Sequence, residues 1–260
     1  METLNVRIEG SADAPTLVLV HGLCESLRAW DKLVPELVDD FRIVRLDLYG
    51  FGDSPAPQPP FHYAIEDQAR GVALTLAAAG VERATLVGHS LGGAVAVAAA
   101  EHQPELVRSL VLINSPPTVE SRLPSRVELA LRRPVIGEAA WKLIGDRERR
   151  VGLRSAFAPG FKVPQVFVDD LSRTAHAAFA GATGALEEYL AQRPLAARVA
   201  TLAFPTTVIF GVDDQRVDGR AIAPFDALPE VTVARLERCG HSPMWERPPE
   251  TAELVRAGAR

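Results

Sequence analysis

Cysteine is nearly absent from this 260-residue chain. Its two cysteines, Cys24 and Cys239, show no metal-type spacing. That excludes a disulfide-built scaffold and a cysteine-ligated metal centre, and it leaves free thiols. Long apolar runs are missing too. No uninterrupted stretch approaches the ~18 residues of a membrane helix, and the opening METLNVRIEG carries charges where a signal peptide is apolar. A cytoplasmic protein with no membrane partner is expected. Basic residues are outnumbered, 28 Lys and Arg against 33 Asp and Glu for a net charge of −5, so the basic face that nucleic acid requires is lacking. There is no glycine-rich phosphate loop and no cluster of metal-ligating side chains, and the expectation is no cofactor and no metal. A small-molecule substrate remains, handled by a monomer or a homodimer.

What the chain does have is enough apolar residue, 47%, for one large core. Short β-branched runs alternate with helix-forming stretches: TLVLV (16–20), RIVRLDL (42–48), ATLVG (84–88), SLVLI (109–113), TTVIFG (206–211) and VTVARLE (231–237). Helices are predicted near 27–39, 64–79, 91–103, 219–228 and 247–258. NVRIEG (5–10) reads as one extra strand at the edge. The alternation implies βαβ units, hence an α/β fold with a mostly parallel, doubly wound sheet of about seven or eight strands. From about Ser115 to Arg198 the rhythm fails, and helical pieces with interspersed prolines separate two core strands. An interval that long reads as a helical cap inserted at 115–200, between core segments 1–114 and 201–260.

At VGHSLGGAVAVAAA (87–100) a strand gives way to a helix with one serine, Ser90, between glycines. A tight strand–helix turn strains the serine backbone, and a Cβ two positions to either side would strike neighbouring backbone, so glycine is required there. The following helix aims its unsatisfied N–H groups at the place where negative charge would develop. Serine needs an adjacent base to react. His241, in CGHSP after the last core strand, is the candidate. Both Asp213 and Asp214 follow TTVIF at the same sheet edge, and composition does not choose between them.

The succession His21-Gly22, Asp47-Leu-Tyr-Gly50-Phe-Gly52-Asp-Ser54, Gly88-His-Ser90-Leu-Gly92-Gly93, Gly211-Val-Asp-Asp214 and Gly240-His241-Ser-Pro243 resembles the α/β-hydrolase superfamily over nearly the whole chain. The resemblance implies a Ser–acid–His triad, an oxyanion hole and a cap after the sixth strand. It selects Asp214 as the acid, and the backbone N–H groups of Leu23 and Leu91 as oxyanion donors. Two departures stand out: Tyr49 occupies a position that is often arginine, and the usual first strand is missing. The expected activity is that of a serine hydrolase acting on a small or medium carboxylic ester, lactone or thioester through an acyl-enzyme. Carbon–carbon bond hydrolases of ring-cleavage products, perhydrolases, lyases and slow-turnover ligand receptors share the pattern. Epoxide hydrolases and haloalkane dehalogenases resemble it too, but carry aspartate in place of Ser90.

Other residues have plainer readings. His21 and Asp47 with Ser54 are expected to hold loops, and His89 to point away from the reactive face. The aromatic residues of 115–200 are expected to pack the cap, with Trp141, Phe157 and Phe161 and also His176 as candidates to wall the substrate pocket. Nine cap cations (Arg122, Arg126, Arg132, Arg133, Lys142, Arg147, Arg149, Arg150 and Arg154) form either a solvated face or a steering field for an anionic substrate.

Overall fold

The computed structural model describes residues 2–58 and 62–259. Its strands are β1 (Val6–Glu9), β2 (Thr16–Val20), β3 (Arg42–Leu46), β4 (Ala84–His89), β5 (Val107–Ile113), β6 (Thr206–Gly211) and β7 (Val231–Leu236). Its α-helices are α1 (Val34–Leu37), α2 (Ile65–Ala78), α3 (Leu91–His102), α4 (Arg126–Leu131), α5 (Ile136–Leu143), α6 (Asp146–Gly152), α7 (Gln165–Arg173), α8 (His176–Gln192), α9 (Leu195–Val199), α10 (Ala223–Asp226), α11 (Pro243–Glu246) and α12 (Pro248–Gly258). The seven strands form one sheet in the order β1-β3-β2-β4-β5-β6-β7. β1 is antiparallel to β3, and the other pairings are parallel. The sheet therefore has the lower of the two expected strand counts, with a single antiparallel strand at its edge.

Alternate strand residues feed two cores, as a sheet covered on both faces requires. On β2, Val18 and Val20 enter one cluster with α2 and α3, while Leu17 and Leu19 enter the other with α1 and α12. β5 splits the same way, Leu110 and Leu112 against Val111 and Ile113. Two predicted helices are each divided. The stretch 27–39 becomes a 3-10 turn, Leu27–Trp30, followed by α1, and 219–228 becomes a 3-10 turn, Gly219–Ile222, followed by α10. Pro35 and Pro224 account for both breaks. Proline has no N–H to donate within a helix and is accommodated in its first turn.

The interval between β5 and β6 holds α4 to α9. It packs on both faces of the sheet, α8 against the first core through Phe179 and Leu186, and α7 against the second through Phe167 and Val168. Its ends are stitched down. Leu195 N donates to Pro117 O (2.8 Å), Leu123 N donates to Arg216 O (2.8 Å), and Arg122 forms an antiparallel bridge with Val217. Among the described residues, no helix is long and apolar enough to cross a membrane.

The strand order reverses between β2 and β4. In such sheets the crevice beyond the carboxyl ends of the strands at the reversal is the natural binding place. Leu23 lies just past β2 and Ser90 just past β4; Asp214 follows β6 and His241 follows β7.

Candidate active site

Ser90 sits at φ 52°, ψ −117°, a conformation costing on the order of 1–3 kcal/mol and held by its surroundings. Its N–H donates to Ile113 O (2.9 Å), and its carbonyl accepts from Gly93 N (3.0 Å). The flanking glycines are required by contact. A Cβ on Gly88 would overlap the Gly92 backbone, and one on Gly92 would overlap the carbonyl oxygens of Val20 and His21. The second of these contacts presses the elbow against the end of β2, where Leu23 lies.

His241 is buried, and its Nδ1 donates to Asp214 Oδ2 (2.7 Å), which also accepts from Asn114 Nδ2 (2.7 Å). Asp214 Oδ1 accepts the N–H groups of Arg216 (2.7 Å) and Val217 (3.2 Å). Burial alone would raise the Asp214 pKa. The imidazole beside it and these hydrogen bonds outweigh burial and hold the carboxyl below its ordinary value. Asp213 is exposed, its backbone N–H tied to Cys239 O (2.8 Å), so of the two neighbours only Asp214 reaches the imidazole. With Nδ1 engaged, Nε2 is the ring nitrogen of His241 left for Ser90.

The loop after β2 is held by side-chain hydrogen bonds. His21 Nε2 accepts from Leu48 N (2.9 Å), so Nδ1 carries the proton and donates to Gly22 O (2.7 Å). Cys24 takes a left-handed φ of 59°. Among the described residues no acceptor takes the N–H of Leu23 or of Leu91, which leaves both donors free beside Ser90. Burial pushes both cysteine thiols well above their ordinary value, which removes Cys24 as a competing nucleophile.

A cleft of about 50 Å³ brings these groups together. Leu23, Ser90 and His241 line it with Arg216 and Val217 from the core, and Pro116, Arg122, Leu123, Pro124, Glu128 and Leu186 from the inserted segment.

A family model described as alpha/beta hydrolase fold matches residues 15–248. The chain belongs to that family. It is 30% identical over 268 aligned positions to an uncharacterized protein of Mycobacterium tuberculosis, across 96% of this chain and 76% of that protein. Among solved structures it is similar to a membrane phospholipase A described as a bacterial virulence factor, at 31% identity and TM-score 0.76, covering 98% of this chain and 83% of the other. A hydrolase from Pseudomonas aeruginosa is similar at 26% identity and TM-score 0.77, over 97% and 92% of the two chains.

Within this alpha/beta hydrolase, four residues expected at the pocket lie outside the cleft. Trp141 stacks on Phe179 (4.6 Å) and donates to Thr174 O (2.9 Å), and His176 Nε2 bonds Leu131 O (2.7 Å). Phe157 is fully buried between Phe161 (5.3 Å) and Phe167 (5.1 Å). These rings find their partners within the insertion's own packing, so none remains to wall the cleft. Asp47 does hold its loop, accepting from Leu27 N (2.7 Å), Asp53 N (2.9 Å) and Asn5 Nδ2 (2.7 Å). Tyr49 is buried under α2 with its hydroxyl on Glu2 O, away from the cleft.

His89 has a part that sequence reasoning missed. Its ring is completely buried, with Nδ1 on Glu25 Oε2 (3.0 Å) and Nε2 on His241 O (2.8 Å). With the Glu25 carboxylate and the His241 carbonyl as acceptors, both nitrogens are placed to donate, which favours the imidazolium. Burial opposes that charge, but the Glu25 carboxylate and the hydrogen bonds prevail and raise the His89 pKa. Glu25, whose burial likewise favours neutrality, is brought down to about 2 by His89 and by the Gly22 N–H (2.8 Å). The pair ties the loop after β2, the elbow strand and the His241 backbone into one unit. Asn114, in a left-handed backbone (φ 46°), adds a second brace by accepting Gly211 N (3.2 Å) while donating to Asp214.

Burial is the main influence on His241 and disfavours its cation. Asp214 opposes this, while the charges of His89 and Arg216 reinforce it, and the net pKa falls below the ordinary 6.5. A histidine acting as a base must be neutral to accept a proton, so a reaction that uses His241 in that way is expected to show kcat/KM climbing with pH through an apparent value below 6.5 and then levelling off. A pH profile of kcat/KM on one ester checks this; a climb centred above the ordinary histidine value would contradict it.

Proposed function

We propose that this alpha/beta hydrolase cleaves a small or medium carboxylic ester, lactone or thioester through an acyl-enzyme on Ser90. One observation carries the reading: Leu23, Ser90 and His241 line one cleft, with the free N–H of Leu91 next to Ser90 in the chain and Asp214 on the far nitrogen of the imidazole. His241 Nε2 takes the serine proton as Oγ attacks the carbonyl carbon, and the developing oxyanion lies against the two N–H groups. Each such donor, when removed, typically costs ~10²–10³ in rate. The bond to the leaving group then breaks, and the leaving atom takes the proton from His241. A water gives its proton to the same nitrogen, attacks the acyl carbon and releases the acid, and Ser90 regains its proton.

In this reading residues 115–200 act as a cap, supplying Pro116, Arg122, Leu123, Pro124, Glu128 and Leu186 to the substrate cleft. Every group comes from one chain, so no second subunit is required. A panel of p-nitrophenyl esters of rising chain length, lactones, thioesters and one ring-cleavage product tests the assignment, with rapid-mixing kinetics and intact-protein mass. Steady ester turnover with an acylated protein is expected. Cleavage of the ring-cleavage product alone, or one burst followed by a stalled protein, would overturn it.

A further inference from the structure

The nine cations read as either a solvated face or a steering field are largely occupied elsewhere. Arg122 is held by Glu128 (2.8 Å) and Glu187, and Arg132 by Glu187; Lys142 pairs with Glu138 and Arg149 with Asp146. Arg150 donates to Val163 O (2.8 Å) and to Gln165. Arg126, Arg133, Arg147 and Arg154 do not line the cleft that contains Ser90. The unneutralised positive charge in that cleft belongs to a core residue instead, Arg216.

Arg216 is half-buried on the loop after β6, two residues past Asp214. Its backbone is fixed on both sides, the N–H on Asp214 Oδ1 (2.7 Å) and the carbonyl accepting Leu123 N (2.8 Å). The side chain lines the cleft with Ser90 and His241, and it is close enough to the imidazole for its charge to disfavour the His241 cation. Nε donates to the neutral hydroxyl of Ser155 (3.2 Å). Among the described residues the guanidinium forms no ion pair, and its two terminal nitrogens have no hydrogen-bond partner. The other charges nearby are already matched, Glu128 by Arg122 and Asp214 by His241 and Asn114. The remaining wall is apolar: Leu23, Pro116, Leu186 and Val217.

A planar guanidinium with both terminal nitrogens free, on a residue that shares a cleft with Ser90 and with several apolar residues, matches a carboxylate in a bidentate pair. We propose that Arg216 selects substrates carrying a carboxylate a few bonds from the scissile carbonyl, as in half-esters of short dicarboxylic acids. This rests on the serine-hydrolase reading above and names its substrate class. Ser90 and Arg216 line the same cleft, so in this proposal a short acyl chain with a terminal carboxylate reaches from one to the other, and the neutral methyl diester of the same length leaves the charge unmatched.

The test compares mono-p-nitrophenyl succinate and glutarate with their methyl-capped diesters, on the wild-type protein and on Arg216→Gln and Arg216→Lys. Wild type is expected to favour the half-ester by about 10- to 100-fold in kcat/KM, the range of a hydrogen-bonded charge pair, expressed mainly in KM. Glutamine should erase that ratio and lysine restore part of it. Free succinate should inhibit wild type competitively and dimethyl succinate should not, a comparison that needs no variant. Equal turnover of half-ester and diester by wild type, or a ratio unchanged in Arg216→Gln, would overturn the role of Arg216 and leave the hydrolase standing. No turnover of either ester together with no fluorophosphonate labelling would overturn both readings.

Discussion

Replacing Ser90 with alanine is expected to abolish ester turnover and fluorophosphonate labelling together, with a loss in kcat of about 10⁴-fold or more. The expectation follows from the strained elbow. Ser90 is held at φ 52° by glycine contacts that leave its hydroxyl at the mouth of the β2–β4 crevice, in the cleft shared with His241. Neither buried cysteine supplies a thiolate to take its place. Labelling followed by peptide mapping should find one modified residue, and a Ser90→Ala protein with wild-type activity would end the serine mechanism.

The second large effect separates two adjacent carboxylates. Asp214→Asn is expected to lower kcat by as much as ~10⁴-fold and at least ~10²-fold, because an amide in that place selects the wrong tautomer of His241. Asp214 accepts from His241 Nδ1, from Asn114 Nδ2 and from two backbone N–H groups. An amide matches that all-donor surrounding only at its oxygen, so its NH₂ must face donors. Asp213→Asn, at an exposed side chain, should cost less than about tenfold. Measuring kcat for both variants on one ester decides the matter: a crippled Asp213→Asn beside a healthy Asp214→Asn would reverse the assignment.

Much of this was legible in the chain because it is local. The β-branched runs 16–20 and 206–211 are strands with those bounds, and GHSLGG announces its elbow because the strand end, the serine and the flanking glycines lie within six residues, although the Val20 and His21 carbonyls that Gly92 must clear do not. The divided helices were legible in principle through Pro35 and Pro224, whose effect on hydrogen bonding outweighs the helical pattern around them. The choice of Asp214 rested on family pattern, since both aspartates leave the same strand. What stayed hidden depends on distant pairing. His89 meets Glu25 across 64 positions and the His241 carbonyl across 152, and no local signal marks either contact. Which cations of the inserted segment are neutralised stayed hidden for the same reason, because Arg122 and Arg132 find Glu187 at 65 and 55 positions. The free guanidinium is visible only once those partners are in place.

The stitching of the inserted segment bears on how relatives of this protein can be recombined. Leu123 is bonded to the Arg216 carbonyl and Arg122 is bridged to Val217, so the entry to residues 115–200 and the loop carrying Asp214 form one strip of backbone. A chimaera that imported only the insertion from another family member would sever that strip and leave the recipient's acid loop without its edge partner. The transplantable module is discontinuous: 115–200 together with the short stretch from Asp214 to Val217. Chain swaps drawn with both seams should keep the geometry around His241, whereas swaps drawn at the insertion boundaries alone should lose it even where the foreign helices fold.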